Sequence, residues 1–211
     1  MNMLFSVKNY EVGPIMTNCY FLINEDTKEL IVIDPGDEGQ RLIHEIDSLG
    51  CTPKAVLLTH GHFDHAGAAE EVGHHYNIPI IAHEMERETL ENPRFNLGGM
   101  MSGAPAVYHA DRFVKDDEML DIAGFQIKVL FTPGHTPGGC SFYVEEQKLL
   151  FSGDALFHQS IGRTDFPNGS TSTLVRAVKE QLLTLPADTN VFPGHEQLTT
   201  IGFEKQYNPF F

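Results

Sequence analysis

The chain has 211 residues, 41% of them hydrophobic, enough for a sizeable core, and a single domain over 1–211 is expected. Fourteen basic against 29 acidic residues leave a formal charge of −15. That balance argues for a soluble protein and against nucleic acid as a partner, because phosphate binding needs clustered lysine and arginine; an anionic substrate has to be drawn in by a local positive charge such as a metal.

In chain order, "MNMLFSVKNYEVGPIMTNCY" lacks the basic start and apolar stretch of a signal peptide. "CYFLI" (19–23) and "LIVID" (30–34) read as paired strands around the turn "NEDTKE". "GQRLIHEIDSLG" (39–50) places Leu42, Ile43, Ile46 and Leu49 at helical spacing and stops at Gly50. "KAVLLTH" (54–60) predicts a buried strand, "AGAAEEVGHHY" (66–76) a helix and "IPIIAH" (78–83) a strand. "ENPRFNLGGMMSGAPAVYH" (91–109) has no clear period and predicts a long loop, in which Met100 and Met101 are candidates for an apolar wall or an oligomer contact. "FQIKVLFT" (125–132) alternates, and "CSFYVEEQKLLFSGD" (140–154) reads as strand, turn and strand. "STLVRAVKEQLLTL" (172–185) is an amphipathic helix, and "NVFPGH" (190–195) a last short strand. Strands and helices mixed in this way predict a sheet-rich core covered by helices, an α/β or α+β layered domain. No apolar run is long enough to span a bilayer, so no membrane partner is expected. Cys19, Cys51 and Cys140 are far apart, with no C-x-x-C pair; they read as reduced thiols of a cytoplasmic protein, Cys19 and Cys140 packed in the core.

"LLTHGHFDHAGA" (57–68) crowds His60, His62, Asp64 and His65 into six positions after a buried strand. In an extended segment residues i and i+2 share a side, so His60 and His62 can hold one metal together. Where the chain turns into a helix, Asp64 and His65 aim at a neighbouring point, so the four suit two adjacent metals better than one. The H-E-x-x-H arrangement, two histidines one helical turn apart on one zinc, is a different pattern. "FTPGHTPGG", "LFSGDALF" and "VFPGHEQL" then each place a ligand type after an apolar strand and a glycine: His135, Asp154 and His195. Loops beyond strand ends are where rigid scaffolds carry chemistry. His44, His74, His75, His83 and His109 read as surface or satisfied histidines; His158 follows Asp154 closely and is a candidate for lining the site. Asp34 in "VIDPGD" is either a turn residue or a support that holds a ligand histidine in its tautomer.

In this order His60, His62, Asp64, His65, His135, Asp154 and His195 resemble the metallo-β-lactamase superfamily, over the chain from about residue 10 to its end. The resemblance implies a four-layer αββα sandwich with two metals at one edge of the sheets. It implies His60, His62 and His135 on one metal, Asp64, His65 and His195 on the other, Asp154 bridging, and Asp34 as the supporting aspartate. Asp154 stands where zinc β-lactamases commonly carry a cysteine, which lowers the expectation of antibiotic hydrolysis. "GRTDFPNGS" (162–170) and "IGFEKQYNPFF" at the C-terminus resemble the short glyoxalase II-like hydrolases. Standard glyoxalase II enzymes add a helical region that grips glutathione, and this chain stops too soon to contain it.

The expected activity is therefore hydrolysis of thioesters such as S-lactoylglutathione by a hydroxide generated at the metal pair, a small-molecule reaction with Asp64 orienting the nucleophile. A thiolate leaving group, from a thiol of pKa about 8.5, needs no dedicated general acid. Zinc is the first expectation for the two divalent metals, with iron or manganese as alternatives, since a His/Asp set accepts all three. Arg163 is a candidate for a substrate carboxylate, with an ion pair to Asp165 or another loop acid as the competing role. Lys205 and Tyr207 lie where a carrier would be expected, and a homo-oligomer is compatible with the chain. A lactonase, a mononuclear-iron persulfide dioxygenase and a non-catalytic metal module are the alternatives; "PGHEQLTTIGFEK" is closer to the hydrolase branch, and a structural zinc normally needs four closed ligands.

Overall fold

A computed structural model describes residues 3–101 and 106–211, apart from the side chains of Met100 and Met101. The expectation for that methionine pair therefore falls outside the described residues.

The strands form two six-stranded sheets, each ordered as in the sequence. The first contains β1 (Phe5–Val12), β2 (Thr17–Asn24), β3 (Glu29–Ile33), β4 (Thr52–Leu57), β5 (Ile80–His83) and β6 (Arg112–Val114). The second contains β7 (Met119–Ile122), β8 (Phe125–Phe131), β9 (Cys140–Val144), β10 (Leu149–Gly153), β11 (Asn190–Pro193) and β12 (Thr199–Thr200). In the first sheet β1–β3 are antiparallel and β3–β6 run parallel. In the second, the β10–β11 pair alone is parallel.

The faces of β2 show how apolar runs become layers. All eight of its residues are buried. Tyr20 and Leu22 join Ile31, Leu57, Phe125, Phe142 and Phe151 between the sheets. Cys19, Phe21 and Ile23 turn the other way and pack with Leu42, Ile46 and Val72 of the helices α1 (Gly39–Ser48) and α3 (Ala69–Tyr76). A strand buried on both faces reads as a continuous apolar run. On the far side, Leu130, Leu150 and Val191 are covered by Leu174 of α6 (Thr171–Ala177) and by Val178 and Leu182 of the π-helical turn that follows it. Two sheets between two helical layers make the αββα sandwich that the resemblance implied.

Several boundaries differ from the sequence expectation. β4 ends at Leu57; the Leu58 amide still donates to the Ile81 carbonyl of β5, and Thr59 and His60 carry the chain past the sheet edge. The helix expected over 66–76 is broken at Gly67–Ala68 into α2 (Phe63–Ala66) and α3, where the Ala68 amide donates to the Pro35 carbonyl at 2.9 Å instead of continuing the helix. α4 (Arg87–Glu91) and α5 (Gly98–Met101) lie near or within the segment expected as a loop over 91–109, and α7 (Ile201–Tyr207) follows β12. No helix among the described residues is long and apolar enough to cross a membrane. Cys19 and Cys140 are buried and all three cysteines are free, as their spacing predicts.

Candidate metal centre

The seven candidate ligands meet at one edge of the sandwich. His60 follows β4, His135 follows β8, Asp154 follows β10 and His195 follows β11, so chain ends from both sheets converge there. Asn18 of β2 holds the two sheets together at this edge: its amide donates to the Gly194 carbonyl, and its side chain to the carbonyls of Pro193 and Glu196. Gly194 has no room for a side chain, because a Cβ would stand 2.3 Å from Asp154 Oδ1 and 2.6 Å from His65 Cε1.

Two groups of donor atoms result, joined by a third that His60, His65 and Asp154 share. His62 Nδ1 lies 3.1 Å from His60 Nε2 and 2.9 Å from His135 Nε2. His195 Nε2 lies 3.4 Å from His65 Nε2 and 3.3 Å from Asp64 Oδ2, and His65 Nε2 is 3.4 Å from that same oxygen. Asp154 stands between the groups, with Oδ1 3.3 Å from His65 Nε2 and Oδ2 3.4 Å from His135 Nε2. Nitrogen ligands at about 2.0–2.1 Å from a tetrahedral ion stand about 3.3 Å from one another. The observed separations therefore suit one ion within each group.

The surroundings decide which nitrogen of each ring is free. Asp34 is 2% exposed and adopts a left-handed conformation, φ 51°, that aspartate tolerates. Its Oδ1 accepts from the Thr59 amide at 2.8 Å. Its Oδ2 accepts from the Thr59 hydroxyl at 2.6 Å and from His65 Nδ1 at 2.9 Å. With its proton committed to Asp34, the Thr59 oxygen accepts from His60 Nδ1 at 3.2 Å. His135 Nδ1 donates to the Arg163 carbonyl at 2.7 Å. His60, His65 and His135 therefore carry protons on Nδ1 and turn Nε2 inward, the atom that a metal would take.

Without a metal, His65 and His195 are the groups in this cluster that gain protons to offset its carboxylates. Asp154 Oδ1 is buried with no hydrogen-bond partner, and His65 Nε2 stands 3.3 Å from it. Burial and the neighbouring imidazoles push His60 well below the usual histidine range, and burial and His135 push His62 down to about 3. Burial also holds His135 below its ordinary value, so these three rings are neutral and suited to ligation. Burial opposes ionisation of Asp64 and Asp154, yet His65 overrides it, holding Asp64 at about 2 and Asp154 below the carboxylate range. His65 is raised despite burial by Asp64, Asp154 and Asp34; His195 is raised, against burial, by its hydrogen bond to Asp64. Converging imidazole nitrogens, three of them on neutral rings, with an orphaned carboxylate oxygen are the donor set that divalent cations take.

A cleft of about 490 Å³ opens over the cluster, with Asp64, His135, Asp154 and His195 in its floor and Phe63, Leu97, Phe157, Ile161 and Phe166 among its walls. Arg163 lines it, but Nε and Nη2 each bond Asp165 at 2.7 Å and the guanidinium stacks 4.1 Å over Phe166. The ion pair weighed for this residue is thus formed. His158 and Lys205 are placed elsewhere: His158 packs edge-on to Phe203 at 4.7 Å, and Lys205 Nζ donates to the Leu185 carbonyl at 3.1 Å. His83 stacks on Phe131 at 4.5 Å in the interior, and His109 bonds Glu70 at the surface. The motif reading passed over Thr59, which sits inside the quoted "THGHFDH", and Thr17, whose hydroxyl donates to Asp64 Oδ2 at 3.0 Å. Only the adjacency of Thr59 to His60 signalled either.

Known proteins share this arrangement. The model of the metallo-beta-lactamase superfamily matches residues 12–195. A protein of Bacillus subtilis (strain 168) named probable metallo-hydrolase YqgX is 44% identical over 200 residues, 94% of each chain. Hydroxyacylglutathione hydrolase GloC of Haemophilus influenzae is 41% identical over 212 residues, 96% of this chain and 97% of GloC. The crystal structure of BLEG-1 B3 metallo-beta-lactamase is similar at a TM-score of 0.92 and 42% identity, covering 97% of this chain and 99% of that one. The family model spans most of the chain and the relatives nearly all of it: the protein belongs to the metallo-beta-lactamase superfamily.

Proposed function

We propose that the chain is a dinuclear-metal hydrolase of thioesters, of the hydroxyacylglutathione type, with His60, His62 and His135 on one metal, Asp64, His65 and His195 on the other, and Asp154 shared. When bound, such a pair supplies an activated water near neutral pH and polarises a carbonyl. Zinc is the first candidate. Asp64, anchored by the Thr17 hydroxyl, accepts a hydrogen bond from the attacking water and fixes its orientation. Thr59, Asp34 and the Arg163 carbonyl keep the ligand imidazoles in the required tautomer. The apolar walls keep bulk water from the acyl group, and the part of Arg163 not bonded to Asp165 is available to a substrate carboxylate.

The observation that carries the thioester reading is the poverty of the cleft in proton donors. Apart from the candidate ligands, its titratable groups among the described residues are Arg163 and Glu196. An amine leaving group needs protonation; a thiolate of pKa about 8.5 does not. The likeness to GloC favours the same substrate class. The likeness to BLEG-1 favours β-lactam opening as the second reading.

Steady-state hydrolysis of S-D-lactoylglutathione, with the metal content of the same preparation measured alongside, tests this. Turnover with about two metals per chain, lost in His60→Ala, is expected. A fully loaded preparation that ignores thioesters and opens a chromogenic cephalosporin, hydrolyses a lactone, or consumes oxygen with glutathione persulfide would replace the reading with that activity.

A further inference from the structure

Glu86 ends the single 3₁₀ turn Glu84–Glu86 after β5 and is fully buried. It belongs to none of the motifs that marked the metal centre, and its hydrogen-bond partners are Gly61, Thr136, Gly138 and Thr89, none of them a candidate ligand. Its Oε1 accepts from the Gly61 amide at 2.9 Å. Its Oε2 accepts from the Gly138 amide at 2.7 Å and from the Thr136 hydroxyl at 3.0 Å. Gly61 is the residue between His60 and His62, and Thr136 is the residue after His135. One carboxylate thus ties together two loops, from different sheets, that carry the three histidines of one candidate metal group. The seat is close: a Cβ on Gly138 would stand 2.2 Å from the Glu86 amide nitrogen.

A buried carboxylate is costly unless every lone pair is met by a donor. Burial accordingly pushes the Glu86 carboxyl up to about 7, against the pull of Gly61, Thr136, Thr89 and Gly138. The donors are held by that demand: the Gly61 amide lies between His60 and His62, and the Thr136 hydroxyl belongs to the residue after His135, so a shift of either moves the adjacent histidines. We propose that Glu86 is a positioning residue: bridging Gly61 to Thr136 and Gly138, it sets the distance between the His60–His62 pair and His135, and so the affinity of that group for its metal. The inference rests on the reading that these histidines hold a metal.

Glutamine has the size of glutamate but offers one acceptor oxygen. In either orientation of Glu86→Gln, its amide NH2 confronts a backbone N–H, of Gly61 or of Gly138. Thr136→Val is the milder companion, removing one donor and no shape. The metal-free wild type, Glu86→Gln, Thr136→Val and His135→Ala are titrated with zinc against a chromophoric chelator, resolving two binding steps; His135→Ala identifies the step that belongs to the three-histidine group. Glu86→Gln is expected to weaken that step by about 10- to 100-fold, as loss of an outer partner does, and to leave the other step alone. Thr136→Val weakens the same step by less. If Glu86→Gln does not fold without metal, the selectivity of Thr136→Val between the steps decides. Unchanged affinities, or equal weakening of both steps, would overturn the role of Glu86, the second by showing it to be general scaffolding. If His135→Ala binds as the wild type does, the metal reading itself falls, and the proposal falls with it.

Discussion

Replacing Asp34 with asparagine keeps the shape of the side chain and changes the protons of the candidate metal centre. Oδ1 can still accept from the Thr59 amide. The NH2 then takes the place of Oδ2, which accepts from both Thr59 Oγ1 and His65 Nδ1. His65 meets a donor where it had an acceptor. Either the bond is lost, or the ring shifts its proton from Nδ1 to Nε2, the atom that faces Asp64, Asp154 and His195. A hydrogen bond to a charged group contributes about 1.5–3 kcal/mol, which is about 10- to 150-fold in a dissociation constant. The step belonging to His65, His195 and Asp64 should weaken by that factor in a chelator competition, and the three-histidine step by less, through the Thr59 hydroxyl that loses the same acceptor and orients His60. Wild-type affinity at both steps in a folded Asp34→Asn protein would refute the tautomer argument.

Two further outcomes are expected. His62 is depressed in the folded chain to about 3, below the ordinary 6.5, so the unfolded chain binds its proton first on acidification. Its contribution is complete above about pH 6.5 and is lost as the pH falls toward 3, by at most about 1.4 kcal/mol per pH unit; urea midpoints of the metal-free protein should fall from pH 7 to pH 5, and less steeply in His62→Gln. Phe166 stands edge-on to His62 at 5.7 Å and to His135 at 6.4 Å and carries the Arg163 guanidinium; Phe166→Ala should raise KM for the thioester several-fold, with metal content unchanged, and a loss of metal instead would show that the ring supports ligands rather than substrate.

The parts of this molecule that are regular in space were regular in the sequence. β2, β3 and β8 are buried on one or both faces and stand out as apolar runs, and the ligands follow such runs through a glycine. β1 was not anticipated, because its burial is partial and its residues, "FSVKNYEV", mix both classes. β6, β7 and β12 are two to four residues long, too short for a period to show. Within the candidate centre, residues close in sequence were legible and those that act across it were not. Asp34 is open to two readings in the sequence, and nothing there announces the three hydrogen bonds it accepts from Thr59 and His65. Glu86 reaches Gly61 over 25 positions and Gly138 over 52. A lone glutamate at that distance has no spacing to betray it; only the packing of two glycine loops around it does.

The donors are divided between the two sheets. His60, His62, Asp64 and His65 come from the first, and His135, Asp154 and His195 from the second. Under the proposed ligand set, no metal has all its protein ligands on one half of the sandwich. During synthesis the first half emerges with four donors and no complete site, so an ion that meets it early is held weakly and exchanges. Full capture awaits the docking of the second sheet. Binding then favours the docked over the separated halves by RT ln(1 + [M]/Kd), so metal supply in the cell would govern how long a finished molecule survives proteolysis as well as whether it turns over substrate.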